Sequence, residues 1–364
     1  MTSAPATPRP EADHESTVWI SWLRTAAILG VVAIHSVGYD AVAEDARATM
    51  HGTVAIWLDI AATCAVPLFV MLSGAVLLDP RRYRGHGPFL RRRAARLVPA
   101  VVFWHAWYWG LLWVITGEPL PWDDTLVRIV SGNLYTALYF LWIIIGLALL
   151  TPVLMGFVAS SSRRAVLVAG AALAAIPALS VATVTAREAT TVLAETAWTW
   201  WFGYLGLYVL GWGLRGVRLR GVVLALAALV TVALGALGCW QWRNPEAPDW
   251  LQTVSPVSYY GVGTILYAIG VFLVAQALLQ PDGVLRVLVR GRPARLGTLL
   301  GGATLGVFGL HLTLVWLLPE LGFGGEEPAS GAVGPMLARL AVTAAAAYAI
   351  VLVLRRVPLV RAVL

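Results

Sequence analysis

The chain has 364 residues, of which 59% are hydrophobic and only 12% charged, and its mean hydropathy is +0.77. Soluble domains carry about a quarter charged residues, so this composition excludes an ordinary soluble protein and predicts a polytopic membrane protein. The net charge of +7 comes from 26 basic residues, all arginine, which lie in short segments between apolar stretches and do not indicate a nucleic-acid partner.

Hydropathy divides the chain into a tail and ten apolar spans. Residues 1–17 are polar and proline-rich, which predicts a disordered tail. An α-helix needs about 20 apolar residues to cross a bilayer, so the spans predict an all-α fold of about ten transmembrane helices. Residues 18–356 would form one transmembrane domain, followed by a short tail at 357–364. The predicted spans are 18–39, 53–78, 94–115, 134–157, 165–185, 197–214, 220–239, 258–279, 296–318 and 334–354.

The arginines alternate between the loops that join these spans. They cluster after spans two, four, six, eight and ten, whereas the intervening loops carry at most one arginine each and most of the acids. By the positive-inside rule, both termini and both tails face the cytoplasm. The heavy use of arginine and alanine favours a bacterial source, which predicts a multi-pass protein of the bacterial plasma membrane.

The first span carries two ionisable residues, Arg24 and His35, in an otherwise almost wholly apolar stretch. Such residues inside a membrane are costly and are functional candidates by default. They are eleven positions apart, which is close to three helical turns and about 16 Å along the axis, so both point to nearly the same face. The predicted topology places Arg24 near the cytoplasmic surface and His35 near the outer one.

The second span enters from the outer side and contains Asp59 at a depth close to that of His35. An acid at this depth would orient the imidazole and stabilise its charge, which makes Asp59 a catalytic candidate beside His35. Alternatively, Asp59 lies in a water-filled vestibule or extends outward to the interface. Ser73 and Gly74 lie towards the inner end of the span, where a small pair is typical of close helix packing.

The third span begins with an arginine run and continues into the membrane. Arg93 and Arg96 are one turn apart at its cytoplasmic entrance, where they either anchor the helix at anionic lipid or bind phosphate, to which arginine is well suited. His105 lies in the middle of the span and is expected to support the site rather than to react.

Aromatic residues concentrate at the predicted outer side, and they include Tyr139 and Trp142 of the fourth span. A belt of interfacial aromatics is the ordinary interpretation. The inner interface has far fewer, so some outer aromatics are expected to contact a ring-shaped polar ligand.

The ninth span contains His311 within about one turn of the depth of His35. Arg339, near the outer start of span ten, is expected to pair with Glu320, Glu326 or Glu327. Cys64 and Cys239 fall inside spans and are expected to be small core residues, so the sequence predicts neither a disulfide nor a metal site. No dinucleotide fingerprint, P-loop or serine-hydrolase elbow is present.

Five segments together resemble the membrane acyltransferase 3 family. The first helix, WLRTAAILGVVAIH, has the family's Arg and His with ten residues between them. The others are AVPLFVMLSG, ending in the Ser-Gly of the second helix; RRRAARLVPAVVFW, the Arg-rich entry to the third; FLWIIIGLALLTPVL; and GVFGLHLTLVW with the late His. The chain is most similar to the surface-polysaccharide O-acetyltransferase branch. It departs from the family where an acid, a His and a Tyr are replaced by Ser21, Phe140 and Gly309.

The resemblance implies an acyl-CoA-dependent O-acyltransferase of the cell envelope that moves acetyl, or another short acyl group, from cytoplasmic acyl-CoA to a hydroxyl of a glycan or lipid-linked sugar. Acetyl-CoA would be a substrate, and no tightly bound cofactor is expected. Combined with the depths and charges described above, this activity predicts donor binding by Arg24, Arg93, Arg96 and Ser73, catalysis by His35 and Asp59, and supporting or acceptor roles for His311, His105, Tyr139 and Trp142.

Two questions stay open from the sequence. His35 acts either as a general base on the acceptor hydroxyl or as a nucleophile that carries the acyl group. Composition and topology also allow a transporter or flippase for a small solute or lipid-linked sugar, with Arg24, Asp59 and His35 as relay groups, or a non-catalytic partner of a polysaccharide synthase.

Overall fold

A computed structural model describes residues 17–44, 46–187, 196–323 and 332–364. These residues form helices and turns, without a β-strand among them. The predicted tail at 1–17 lies outside the described residues except for Thr17. The α-helices are α1 Val18–Val42, α2 Met50–Ala62, α3 Ala65–Leu77, α4 His86–Thr116, α5 Trp122–Ser131, α6 Tyr139–Ser160, α7 Arg163–Ala186, α8 Leu205–Leu214, α9 Gly221–Arg243, α10 Asp249–Val254, α11 Val262–Leu278, α12 Gly291–Gly302, α13 Thr304–Glu320, α14 Val333–Leu354 and α15 Pro358–Arg361.

The all-α polytopic membrane fold predicted from the sequence is confirmed. In the described part of the chain, seven helical segments are long and apolar enough to span a membrane, among them α2 and α3 taken together. An eighth arises if α12 and α13, which meet at a 61° bend, form one broken span. The remaining two predicted spans correspond to shorter apolar helices, Phe202–Leu214 and Val262–Leu278. The count of ten crossings and the cytoplasmic termini stay predictions.

Helix α1 lies at the centre of the bundle. It packs against α2, α3, α11, α12, α13 and α14, and Ile28 and Val32 in its middle are fully buried. An apolar helix surrounded by apolar neighbours gains packing contacts along its whole length, which explains why α1 continues unbroken from Val18 to Val42. Helices α9 and α14 lie at the periphery, with most of their surface outside the bundle.

Helix α3 packs closely against α8 through glycines, as the small Ser73–Gly74 pair predicts. A Cβ added to Gly74 would lie 1.8 Å from the Tyr208 carbonyl oxygen, and one added to Gly211 would lie 2.0 Å from the Met71 carbonyl oxygen. Because each glycine faces the backbone of the other helix, neither position has room for a side chain.

The bundle has an Arg-rich end, marked by Arg93, Arg215 and Arg355, and an opposite end where the loops carry the short helices α5 and α10. One arginine of the Arg-rich end is neutralised by a buried acid. Arg215 donates from Nη1 to Asp79 Oδ2 over 3.0 Å and to the Ala75 carbonyl over 2.9 Å, and Asp79 is 5% exposed.

The segment 357–364 folds back onto the bundle at the Arg-rich end. Helix α15 begins at Pro358, and the indole N–H of Trp104 on α4 donates to the Val363 carbonyl over 3.1 Å. Val360 and Val363 pack against the main hydrophobic core.

Candidate functional site

The candidate base His35 and the candidate cation Arg24 lie on one continuous helix, α1. Arg24 and His35 both lie within Val18–Val42, with regular helix between them, so their predicted separation of about 16 Å along the axis holds. Both side chains are half-buried. The intervening Ala27 and Val31 belong to the main core, so this face of α1 points into the bundle.

His35 lies beside His311 of α13. Their ring centroids are 5.2 Å apart and the ring planes are inclined by 45°. His311 is fully buried and its ring also lies 5.9 Å from that of Phe308. The sequence placed the two histidines within a turn of each other in depth, and the packing of α13 against α1 brings their rings into contact.

The protonation pattern of His311 follows from its hydrogen bonds. Nδ1 lies 2.6 Å from the Phe308 carbonyl oxygen, and a carbonyl oxygen only accepts, so Nδ1 carries the proton. In the neutral ring Nε2 then has a free lone pair, and that atom is buried without a hydrogen-bond partner among the described residues. A buried polar atom without a partner is unusual and marks a place where a substrate atom or a reacting proton can be received.

The three arginines expected at the donor site come together at the Arg-rich end. The Arg24 guanidinium is close enough to those of Arg93 and Arg96 for electrostatic repulsion between them. None of the three forms an ion pair with an acid in the described part of the chain. Like charges held together without counter-ions favour the binding of an anion, and guanidinium groups suit phosphate.

Asp59 is not the partner of His35. The half-buried carboxylate forms no ion pair with His35, and its electrostatic neighbours are the Tyr259 hydroxyl and the Cys239 thiol. Helix α2 turns this residue towards α9 and the loop before α11. The sequence predicted the depth of Asp59 but could not determine which way α2 faces. The free Cys64 and Cys239 are buried, and the described residues hold no cluster of metal-binding side chains.

The remaining predicted site residues form two further groups. His105 is buried, with Nδ1 2.8 Å from the Val101 carbonyl oxygen, so its proton is on Nδ1. Its ring lies 5.6 Å from that of Trp142. His105 Nε2 and the Trp142 indole nitrogen are both buried without a partner in the described region. Tyr139 lies on the same helix as Trp142, where its ring contacts that of Trp200 at 4.6 Å.

Ser73 is half-buried on α3, next to the tightly packed Gly74.

Sequence reasoning missed a buried ionic cluster beyond His35, at the opposite end of the bundle. His51 Nε2 lies 2.9 Å from Asp40 Oδ1, and Arg339 forms an ion pair with the other carboxylate oxygen of Asp40. Arg339 also donates to the Ser36 carbonyl over 2.8 Å. Arg339 therefore pairs with Asp40 and not with Glu320, whereas Glu326 and Glu327, the other two expected partners, lie outside the described residues.

The cluster joins α1, α2 and α14, and Asp40 lies five residues beyond His35 on α1. The sequence signal was an acid, a histidine and an arginine near the outer ends of three spans. Only the packing of the three helices reveals that they meet.

Comparison with known protein families settles the membership of the chain. The acyltransferase domain family matches residues 17–355. The chain belongs to the acyltransferase 3 family. This membrane acyltransferase matches no curated protein and no solved structure. The family match covers α1 to α14 and therefore includes His35, His311 and the arginines at the Arg-rich end.

Proposed function

We propose that this membrane acyltransferase uses acyl-CoA as donor and transfers acetyl, or another short acyl group, to a hydroxyl of an extracytoplasmic or lipid-linked glycan. The observation that carries the proposal is the arrangement on α1. His35, in ring contact with the buried His311, lies at one end of about 16 Å of helix, and three arginines that form no ion pair among the described residues lie at the other.

The donor fits this arrangement in both length and charge. The pantetheine arm of coenzyme A is comparable in length to the distance between Arg24 and His35. Arg24, Arg93 and Arg96 would hold the phosphates by charge-assisted hydrogen bonds. The Arg-rich end would face the cytoplasm of a bacterial cell, where acyl-CoA is made, in agreement with the positive-inside rule.

The reaction would proceed at His35 by one of two routes. As a general base, His35 takes the proton of the acceptor hydroxyl while the hydroxyl oxygen attacks the thioester carbonyl. The C–S bond then breaks, and the CoA thiolate leaves to be protonated. As a nucleophile, His35 first attacks the thioester carbonyl, the C–S bond breaks and the CoA thiolate leaves to be protonated. The acceptor oxygen then takes the acyl group from His35, and the hydroxyl proton passes to the freed imidazole. On either route the free lone pair of His311 Nε2 can accept a hydrogen bond from His35 or from the acceptor.

The acceptor would approach from the opposite end of the bundle. Aromatic faces bind the apolar faces of sugar rings, and unpartnered nitrogen atoms bind their hydroxyls. His105 and Trp142 offer both features on neighbouring helices. A lipid-linked glycan would also place its lipid in the bilayer beside the protein.

The test compares wild type with His35→Ala in purified membranes supplied with radiolabelled acetyl-CoA, with CoA release as the measurement. Wild type should release CoA and transfer label to glycan, and His35→Ala, still inserted and folded, should do neither. Normal CoA release by the variant would refute the role of His35. Accumulation of a lipid-linked sugar on one side of wild-type vesicles without thioester consumption would instead favour a transporter.

A further inference from the structure

A fourth arginine lies beside the donor arginines Arg24, Arg93 and Arg96, at the end of a helix to which none of those three belongs. Arg355 directly follows α14 and is half-buried. Its guanidinium is close enough to those of Arg96 and Arg361 for electrostatic interaction, and burial together with these two neighbours lowers the pKa of Arg355. Neither Arg355 nor Arg361 forms an ion pair with an acid in the part of the chain that the structure describes.

The position of Arg355 along the bundle follows from two glycines at the end of α12. A Cβ on Gly302 would lie 3.5 Å from Arg355 Nη1, and one on Gly301 would lie 2.6 Å from the Ser21 carbonyl oxygen. The Arg355 guanidinium is therefore near the level of Ser21, which is three residues before Arg24 on α1. Three residues are about 4.5 Å of helix, so Arg355 lies roughly one turn further from His35 than Arg24 does.

A second contact agrees with this order. Tyr348, also on α14, lies beside the Thr25 side chain next to Arg24. Arg355 follows Tyr348 by seven residues, which is about two turns along the same face and about 10 Å towards the Arg-rich end. His35, Arg24 and Arg355 thus succeed one another along a single path through the bundle.

We propose that Arg355 binds the 3′-phosphate of coenzyme A, with Arg24 and Arg93 on its diphosphate, an inference that rests on the proposed acyl-CoA donor. The order of the chemical groups along the donor supports this assignment. From the thioester outward come the pantetheine arm, the diphosphate, and then the ribose that carries the 3′-phosphate. The path offers the histidine pair, Arg24 and then Arg355 in the same order. A planar guanidinium can bind a phosphate monoester through two hydrogen bonds.

An anionic lipid headgroup presents the same phosphate chemistry to an arginine at this end of the bundle. The two sources differ in their partner atoms. If Arg355 bound a lipid phosphate diester, the protein would have equal affinities for CoA and dephospho-CoA. If Arg355 bound the 3′-phosphate, the affinity for dephospho-CoA, which lacks that group, would be lower. Comparing these two nucleotides therefore separates the donor from the lipid.

The experiment measures binding of CoA and of dephospho-CoA to the purified full-length protein by calorimetry, in neutral detergent and in nanodiscs with or without phosphatidylglycerol. The variants are Arg355→Gln and Arg355→Lys, with Arg356→Gln as the matched control. Arg356 is the next residue, is exposed, and forms no ion pair in the described chain.

Wild type should bind CoA about tenfold or more tightly than dephospho-CoA, as one charge-assisted phosphate contact predicts. Arg355→Gln should lower the affinity for CoA alone, so that it becomes equal to the affinity for dephospho-CoA. Arg355→Lys should retain part of the preference for CoA. Arg356→Gln should bind both nucleotides with the wild-type affinities.

Three results would overturn the assignment: equal weakening of both nucleotides in Arg355→Gln, an unchanged preference for CoA in that variant, or no preference in wild type. If wild type preferred CoA over dephospho-CoA without phosphatidylglycerol but lost this preference in nanodiscs that contain it, Arg355 would be identified as a lipid contact in the membrane. If wild type bound neither nucleotide, the proposed acyl-CoA donor would itself be wrong. The wild-type comparison of CoA with dephospho-CoA does not depend on the folding of any variant.

Discussion

Replacing Arg339 with methionine should destabilise the bundle strongly, because it leaves a buried carboxylate without its main counter-ion. Asp40 is 3% exposed and is held by Arg339 and by His51 at 2.9 Å. The variant also removes the donor to the Ser36 carbonyl. Breaking a buried ion pair by removing one partner costs about 3–5 kcal/mol. His51 remains in contact with Asp40, so the expected loss lies near the lower limit, about 3 kcal/mol.

The matched control is Arg128→Met on α5. Arg128 pairs with Asp124 over 2.9 Å, but the two side chains are 43% and 41% exposed. Exposed pairs contribute about 0–1 kcal/mol, so this variant should lose less than 1 kcal/mol. The assay is denaturant unfolding of the purified protein in mild detergent, followed by tryptophan fluorescence and with ligand absent.

A double-mutant cycle then separates the ion pair from other effects of the substitution. Asp40→Asn combined with Arg339→Met removes both charges, so the double variant should lose clearly less stability than the sum of the two single variants. If Arg339→Met cost no more than Arg128→Met, or if the two single losses simply added, the carboxylate would not depend on Arg339 and the reasoning from burial would fail.

Two further predictions concern α1 and α3. Ala27→Trp should abolish acyl transfer by blocking the proposed donor path between the donor arginines and the histidine pair, whereas Ala26→Trp, on the exposed side of α1, should be tolerated. Transfer that survives Ala27→Trp in protein that elutes as a single species would refute a donor path along this face. Gly74→Val should cost more than the roughly 1–3 kcal/mol of ordinary overpacking, because its Cβ would lie 1.8 Å from the Tyr208 carbonyl oxygen. Gly156→Ala, with no atom within 4 Å of the added carbon, should be neutral or slightly stabilising when melting temperatures are compared.

Local properties of the chain were predictable from the sequence. The length and apolarity of the spans determined the helices, since a backbone in hydrocarbon must satisfy its own hydrogen bonds and does so within one helix. The spacing of Arg24 and His35 determined their shared face, because helical geometry fixes the relation between eleven positions in one regular element. The small residues at Ser73 and Gly74 likewise indicated close packing without showing which helix approaches them.

Only the tertiary structure decided which side chains meet across helices. The sequence predicts similar depths for Asp59 and His35, yet α2 is rotated so that Asp59 faces Tyr259 and Cys239. Arg339 pairs with Asp40 on α1 and not with Glu320, the one described glutamate among its expected partners.

A hydropathy pattern gives the depth of a residue in a span and, through periodicity, its face relative to residues of the same helix. The rotation of each helix about its axis depends on the packing of the whole bundle, and no local pattern records it. For that reason the sequence determined which residues share a face of α1. The packing of the bundle determined that His35 contacts His311 and that Arg355 lies beside the arginines around Arg24.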